Sequence, residues 1–356
     1  MLLINSKLPF KDFQEEYHKK YQNSRSLRGA SVMNASGDSI DQSSMGFQYA
    51  IDTMTYIVKK ITEQKFYEIA PADFVPLSVG EGSFSLTLLH NLVINSAGDF
   101  EQGDLNQGSG NAKLETADAA VAPFSRKVKS WAKAVGYTLI EVEQALLANN
   151  WDVVESRQKA RKKNWDLGIQ KIAFLGHGSD SAVKGLLNQS TVNSNTQLIT
   201  KSISTMNTSE FSAFVSGVIG AYLTNCNNTT MPDTFVMPLA DYVGLAVPVS
   251  ETYPNVMKID WLETAFKKIV PGGVKIMPLA YAEAAQNKAV LGGSGKNRYV
   301  LYKKDEETLR MDIPVDLTIT QPNTVNNFQF QDAGYGQYTG VGVMRPLEVL
   351  YFDYNG

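Results

Sequence analysis

The run from Thr138 to Asn188 constrains the fold more than any other stretch, because it sets two helices in series and follows them with a loop punctuated by glycines. Thr138-Leu-Ile-Glu141 has capping-box spacing, in which a hydroxyl and a carboxylate reciprocally satisfy the free amides of a helix start. Ile140, Ala145, Leu146 and Leu147 supply the apolar side of this short first helix. Asn149-Asn150 interrupts it, and Asn150 can cap a second helix whose first turn carries Asp152 and Glu155, where the helix dipole favours negative charge. From Trp151 to about Phe174 that helix spans roughly 36 Å, and Gly176 beyond it can take the left-handed conformation of a C-cap. Trp151, Val154, Trp165, Ile169 and Ile172 follow helical spacing, whereas the middle reads Ser156-Arg-Gln-Lys-Ala-Arg-Lys-Lys163. Such a helix packs through its two ends and carries a basic face between them.

Two segments resist placement in a compact core. Residues 1–44 hold scattered apolar groups such as Phe10, Phe13 and Tyr17, with only Phe10 to Tyr21 suited to a helix, and read as an arm. In the second, residues 80–121, an apolar stretch from Phe84 to Ile94 gives way to Asn95-Ser-Ala-Gly-Asp-Phe-Glu-Gln-Gly-Asp-Leu-Asn-Gln-Gly-Ser-Gly-Asn111, a span without regular structure that is unusual inside a domain unless a partner orders it. Between them, Met45 to Phe66 has the broad apolar stripe of a helix. Pro123 to Tyr137 fits a weakly alternating strand and a helix about equally.

After Asn188 helices and strands alternate: a helix from Glu210 to Leu223, a strand Thr234 to Met237, a helix after Pro238, another from Asp260, and a strand Val274 to Met277. Alternation of this kind implies a sheet covered by helices. From Asn297 strands dominate, at Arg298 to Lys303, Asp312 to Thr320, Phe328 to Phe330, Tyr338 to Met344 and Leu347 to Phe352.

The order of a short helix, a long helix containing Ala160-Arg161, then Phe174-Leu-Gly, then Gly185-Leu-Leu-Asn188, resembles the encapsulin-like family of tailed-phage major capsid proteins, of the Hong Kong ninety-seven fold type. The resemblance runs from about Phe66 to the C-terminus. It implies an α+β tailed-phage capsid fold with an N-terminal arm (1–44), a peripheral domain opening at 45–79, an extended E-loop hairpin (80–121) that lies over a neighbouring subunit, and a peripheral part (122–176) with its spine helix at 151–174. An axial α/β domain (177–304), a peripheral return (305–337) and axial C-terminal strands (338–356) complete the layout. The same resemblance makes Pro123 to Tyr137 a strand returning from the E-loop. Phe84, Leu88, Phe100, Leu105 and Leu114 are its candidate inter-subunit contacts.

Composition sets independent bounds. A chain of 356 residues, 43% hydrophobic, can bury a substantial core in two or three domains. A net charge of −3 argues against a surface that binds nucleic acid all over, while leaving room for local patches. The single cysteine, Cys226, permits no internal disulfide, and no stretch approaches the ~20 apolar residues of a membrane span. Met1-Leu-Leu-Ile4 is too short for a signal-peptide core.

Candidate chemistry is sparse. His18, His90 and His177 stand far apart, each without a partner at metal-ligand spacing, and no metal or cofactor is expected. His177 lies between Gly176 and Gly178; Ser179, Asp180 and Ser181 follow it, but Gly-x-Ser-x-Gly is absent and contiguous residues cannot orient one another as a triad does. Gly292-Gly-Ser-Gly-Lys296 imitates part of a phosphate loop, with Val290 where the first glycine belongs and Asn297 where a magnesium-binding hydroxyl belongs. Cys226, between Asn225 and Asn227, has no histidine nearby in sequence. No catalytic residue is therefore assigned.

The basic run Arg157, Lys159, Arg161, Lys162 and Lys163 stacks like charges at i,i+4, which an isolated helix does not favour. Either acidic partners in the same subunit and solvent compensate, or the face turns to a particle lumen where packaged double-stranded DNA supplies phosphates. The expected function is a structural subunit, not an enzyme: copies associate as hexamers and pentamers into the icosahedral head of a tailed double-stranded DNA bacteriophage, with a portal and scaffold or decoration proteins as further partners and no membrane. The start at Met1 favours a separate scaffold protein, or none. The protein belongs on this view in the virion capsid, assembled in the host cytoplasm. An encapsulin-type nanocompartment shell is the alternative within the same architecture; a soluble hydrolase or nucleotide-binding enzyme using His177 or Lys296 is the distant one.

Overall fold

The computed structural model describes residues 65–96, 118–148, 153–288, 295–326 and 328–354. Lys65 apart, these belong to the unit Phe66–Gly356. The arm and most of the helix expected at Met45 to Phe66 lie outside the described residues.

The two helices in series are present as Leu139–Ala148 and Val153–Leu175. The capping box closes at the first: Glu141 N donates to Thr138 Oγ1 at 3.2 Å, and Thr138 N donates to Glu141 Oε2 at 3.0 Å. Asn150 and Trp151, the expected cap and first anchor of the second helix, lie outside the described residues. At its other end Gly176 adopts φ +82°, and the chain folds back so that Leu186 N, Leu187 N and Asn188 Nδ2 take the carbonyls of Ala173, Phe174 and Leu175. These carbonyls belong to the last helical turn, which has no intrahelical donors left. A Cβ on Gly185 would stand 2.4 Å from Phe174 backbone atoms, so only glycine fits that crossing.

Beneath the long helix lies a sheet in the order Val315–Ile319, Gln329–Tyr338, Asn323–Asn326, with Lys129–Thr138 also on the Gln329–Tyr338 strand. The sheet face under the helix is bare where the helix is large: a Cβ on Gly336 would sit 2.4 Å from the Trp165 ring, and one on Gly334 would sit 2.9 Å from Arg161 Cδ. Those glycines interrupt the alternation in sequence, which is why the strand was expected only at Phe328 to Phe330 and from Tyr338 onward. The expected strand Asp312 to Thr320 is likewise two strands, Leu309–Ile313 and Val315–Ile319, serving different sheets. Pro314, which has no amide to donate, stands at the break.

A five-stranded sheet takes the order Asn193–Asn195, Val349–Tyr354, Asn297–Tyr302, Thr234–Pro238, Lys275–Leu279. Its three central strands are buried almost along their length because alternate residues feed two cores, while the edge strands Asn193–Asn195 and Lys275–Leu279 are partly exposed. Val236, Val300, Tyr302 and Tyr351 join Phe174 and Leu175 from the end of the long helix. Phe235, Tyr299, Leu301 and Phe352 face the helices Thr208–Asn225 and Lys258–Ile269. The first of these helices opens on a capping box, Asn207 with Glu210, that the apolar pattern alone did not reveal. The short strands Leu77–Val79 and Asn193–Asn195 and the hairpin Pro248–Ser250 with Tyr253–Met257 were also not foreseen.

Candidate functional site

Thr87–Ser96 and Asp118–Lys127 pair antiparallel over their full length, Thr87 opposite Lys127 and Ser96 opposite Asp118, and neither pairs with any other described strand. The return segment expected at Pro123 to Tyr137 is thus divided: Asp118–Lys127 closes the hairpin, Val128 is buried at the break, and Lys129–Thr138 enters the sheet under the long helix. An isolated two-stranded ribbon is marginal in water. This one nevertheless presents apolar side chains to solvent at its base: Phe84 is 71% exposed, Leu86 83% and Leu89 66%. Phe84 holds φ +62°, donates its amide to Gln337 Oε1 at 2.7 Å, and sets its ring 6.5 Å from that of Tyr335. Leu88 is half-buried and packs over Gly82, whose missing Cβ would otherwise fall on it. Leu86 and Leu89, absent from the expected contact set, are the more exposed leucines, and strand alternation places Leu89 opposite the face of Leu88. Phe100, Leu105 and Leu114 lie outside the described residues.

The basic run does not form one face. Arg161 is only 2% exposed and pairs with Asp332 at 2.9 Å, so it leaves the solvent-facing set; the glycine-bared sheet face beneath it draws its side chain inward. Arg157 takes both oxygens of Glu141 at 3.1 Å and also donates to the Gly136 carbonyl. That guanidinium first, and the Thr138 amide second, hold the Glu141 carboxyl down to about 2. Lys163 meets Glu68 and lies 5.9 Å above the Phe66 ring. Lys159 pairs with Glu155 at 2.8 Å on an exposed surface, and Lys162 is exposed beside Asp166. Carboxylates of the same chain therefore answer much of the repulsion that the sequence posed.

His177, Ser179 and Asp180 are not arranged as a catalytic triad. His177 Nδ1 stands 3.2 Å from Ser179 Oγ, but Asp180, which a triad would need behind the histidine, is taken by Lys129 at 2.6 Å and Lys127 at 3.0 Å. Those ammonium groups, Lys129 first, hold its carboxyl far below the usual range. Asn297 Oδ1 accepts from Ala284 N at 2.8 Å just after the Gly292-to-Lys296 run, of which residues 292–294 lie outside the described ones. Cys226 is buried, its thiol donating to backbone carbonyls. Among the described residues no three acidic, histidine or cysteine groups are arranged to hold a metal, and no helix is long and apolar enough to cross a membrane.

Against known proteins, the family model described as major capsid protein matches residues 106–354. The fold is similar to that of the capsid of Myoviridae phage XM1, 16% identical, covering 91% of this chain and 99% of that one with a TM-score of 0.68. It is also similar to the capsid structure of cyanophage P-SCSP1u (14% identity, 86% and 94% coverage, TM-score 0.51) and to a structure from Mycobacterium phage Bobi (10% identity, 87% and 98% coverage, TM-score 0.54). No curated protein matches the chain by sequence.

Proposed function

Because this chain belongs to the major capsid protein family, and is thus a structural shell subunit and not an enzyme, we propose that it builds the icosahedral head of a tailed double-stranded DNA bacteriophage from hexamers and pentamers of itself. The observation that carries this is the hairpin: two ten-residue strands that pair with no other described strand and expose Phe84, Leu86 and Leu89 at their base. A ribbon of that kind gains stability when a neighbouring copy covers it, and the closed shell multiplies such weak contacts by avidity. On this account the hairpin is the E-loop, the long helix is the spine of the peripheral domain, and the five-stranded sheet is the axial domain.

Packaged DNA is proposed to meet the long helix through Lys162 and Lys159, the exposed members of its basic run, Lys159 exchanging its surface pair with Glu155 for phosphate, while Arg157 and Lys163 are engaged by Glu141 and Glu68. A portal, and scaffold or decoration proteins, are the further partners, and assembly takes place in the host cytoplasm. Deleting Ser96 to Asn111 is expected to leave a folded subunit that forms no normal shells; normal particles by electron microscopy would refute the hairpin's role. Reversing Lys159 and Lys162 to glutamate should lower nuclease-protected DNA per particle, and unchanged content would remove DNA from the account of this helix. Particles filled with protein and free of nucleic acid would instead favour a nanocompartment.

A further inference from the structure

Consecutive side chains of an extended strand leave on opposite faces, so the last residues of the hairpin's return strand can be held by different parts of the body. Arg126 is buried against the strand Leu309–Ile313. Its guanidinium meets the Asp312 carboxylate, donates to the Arg310 carbonyl at 3.0 Å, and touches His90 Nε2 from the other hairpin strand. Asp312 is fully buried; its second oxygen takes Arg310 Nε at 2.6 Å, and Arg310 in turn reaches Glu81. A Cβ on Gly342 would lie 2.5 Å from Arg126 Cδ, so the side chain reaches its partner across bare backbone. Lys127, and Lys129 beyond the break, go elsewhere: both grip Asp180, in the loop after the long helix, whose Oδ1 is fixed by the Ala182 amide at 3.0 Å. Between the two ties Val128 is buried and donates its amide to Leu86 at 3.0 Å.

We propose that these two ionic ties form a positioning device: Arg126 on Asp312, and Lys127 with Lys129 on Asp180, together fix the direction in which the hairpin leaves the body. A single tie at the root leaves a pivot about Val128; two ties to separate elements remove it. The consequence for assembly, that this direction sets where the hairpin tip meets the next copy, rests on the shell-subunit function proposed above.

The test uses the full chain with Asp180→Asn, with Arg126→Gln plus Asp312→Asn, and with Arg126→Lys, which keeps a cation opposite Asp312 and leaves the Arg310 contact of Asp312 in place. Hydrogen exchange is read at residues 87–96 and 118–127 against the central strand 297–302. Loosening either tie should speed exchange in the hairpin root by about tenfold while the central strand stays protected, and should broaden the distribution of particle diameters. Arg126→Lys should keep both closer to the parent. Asp180→Asn changes one oxygen to an amide at a surface loop and keeps the test alive if the buried pair proves necessary for folding. Root exchange unchanged in both loosening variants would overturn the proposal, as would an Arg126→Lys variant no tighter than Arg126→Gln plus Asp312→Asn, since packing and not pairing would then hold the root. If the parent chain forms no particles, the shell function fails while the exchange result still decides the positioning device.

Discussion

At the scale of residues, the pair Arg161–Asp332 decides how the long helix sits on its sheet. Both side chains are almost fully buried, and Asp332 receives Arg161 through its carboxylate at 2.9 Å and its carbonyl at 3.3 Å. Removing one partner strands a buried charge, so Asp332→Ala should cost about 3–5 kcal/mol in denaturant unfolding of the subunit, whereas Arg161→Met combined with Asp332→Leu should come close to the parent. Equal losses in the two would mean that the pair is not the source of the cost. The adjoining glycines follow the same logic. Gly336→Ala drives a methyl into Trp165 and should destabilise by about 1–3 kcal/mol. Gly220→Ala, on the helix Thr208–Asn225 with open space around its Cβ, should instead stabilise by up to about 1 kcal/mol. Similar melting shifts for the two alanines would show that sterics at the sheet face do not govern.

At the scale of elements, the hairpin root carries a pH dependence. Arginine has no lone pair to offer, so His90 Nε2 accepts from Arg126 and the imidazole is neutral when the hairpin is docked. Burial first, and Arg126 second, hold the His90 pKa below its usual 6.5, against the opposing pull of Asp312 and Glu81. A base with a lower pKa docked than released takes up a proton on release. Docking is therefore complete above 6.5 and weakens as pH falls below it. Root exchange, corrected for its intrinsic pH dependence, should quicken between about pH 7 and pH 5 in the parent and not in His90→Gln; the same profile in both would contradict the assignment. The elements themselves were legible to different degrees. The Thr138–Glu141 capping box and the spacing of Trp165, Ile169 and Ile172 express local chemistry, and they located the two serial helices. Gly334, Gly336 and Pro314 act through contacts and missing donors far away in sequence, so the strands around them were misjudged. The ion pairs were hidden for the same reason: Arg161 lies 171 residues from Asp332, and Arg126 lies 186 from Asp312. Exposure at Leu86 and Leu89 left no local signature at all.

At the scale of the whole molecule, the described residues comprise one sheet whose central strands are buried on both faces, a long helix laid on a second sheet, and a hairpin that pairs with no other described strand. On the function proposed above, closure of a shell supplies what the ribbon lacks, through repeated contacts between copies. The most direct measurement is electron microscopy of the purified full chain together with its solution mass. The account predicts closed particles of uniform diameter, with capsomers in fivefold and sixfold arrangement and a megadalton mass. A discrete small oligomer that never closes into particles would contradict it.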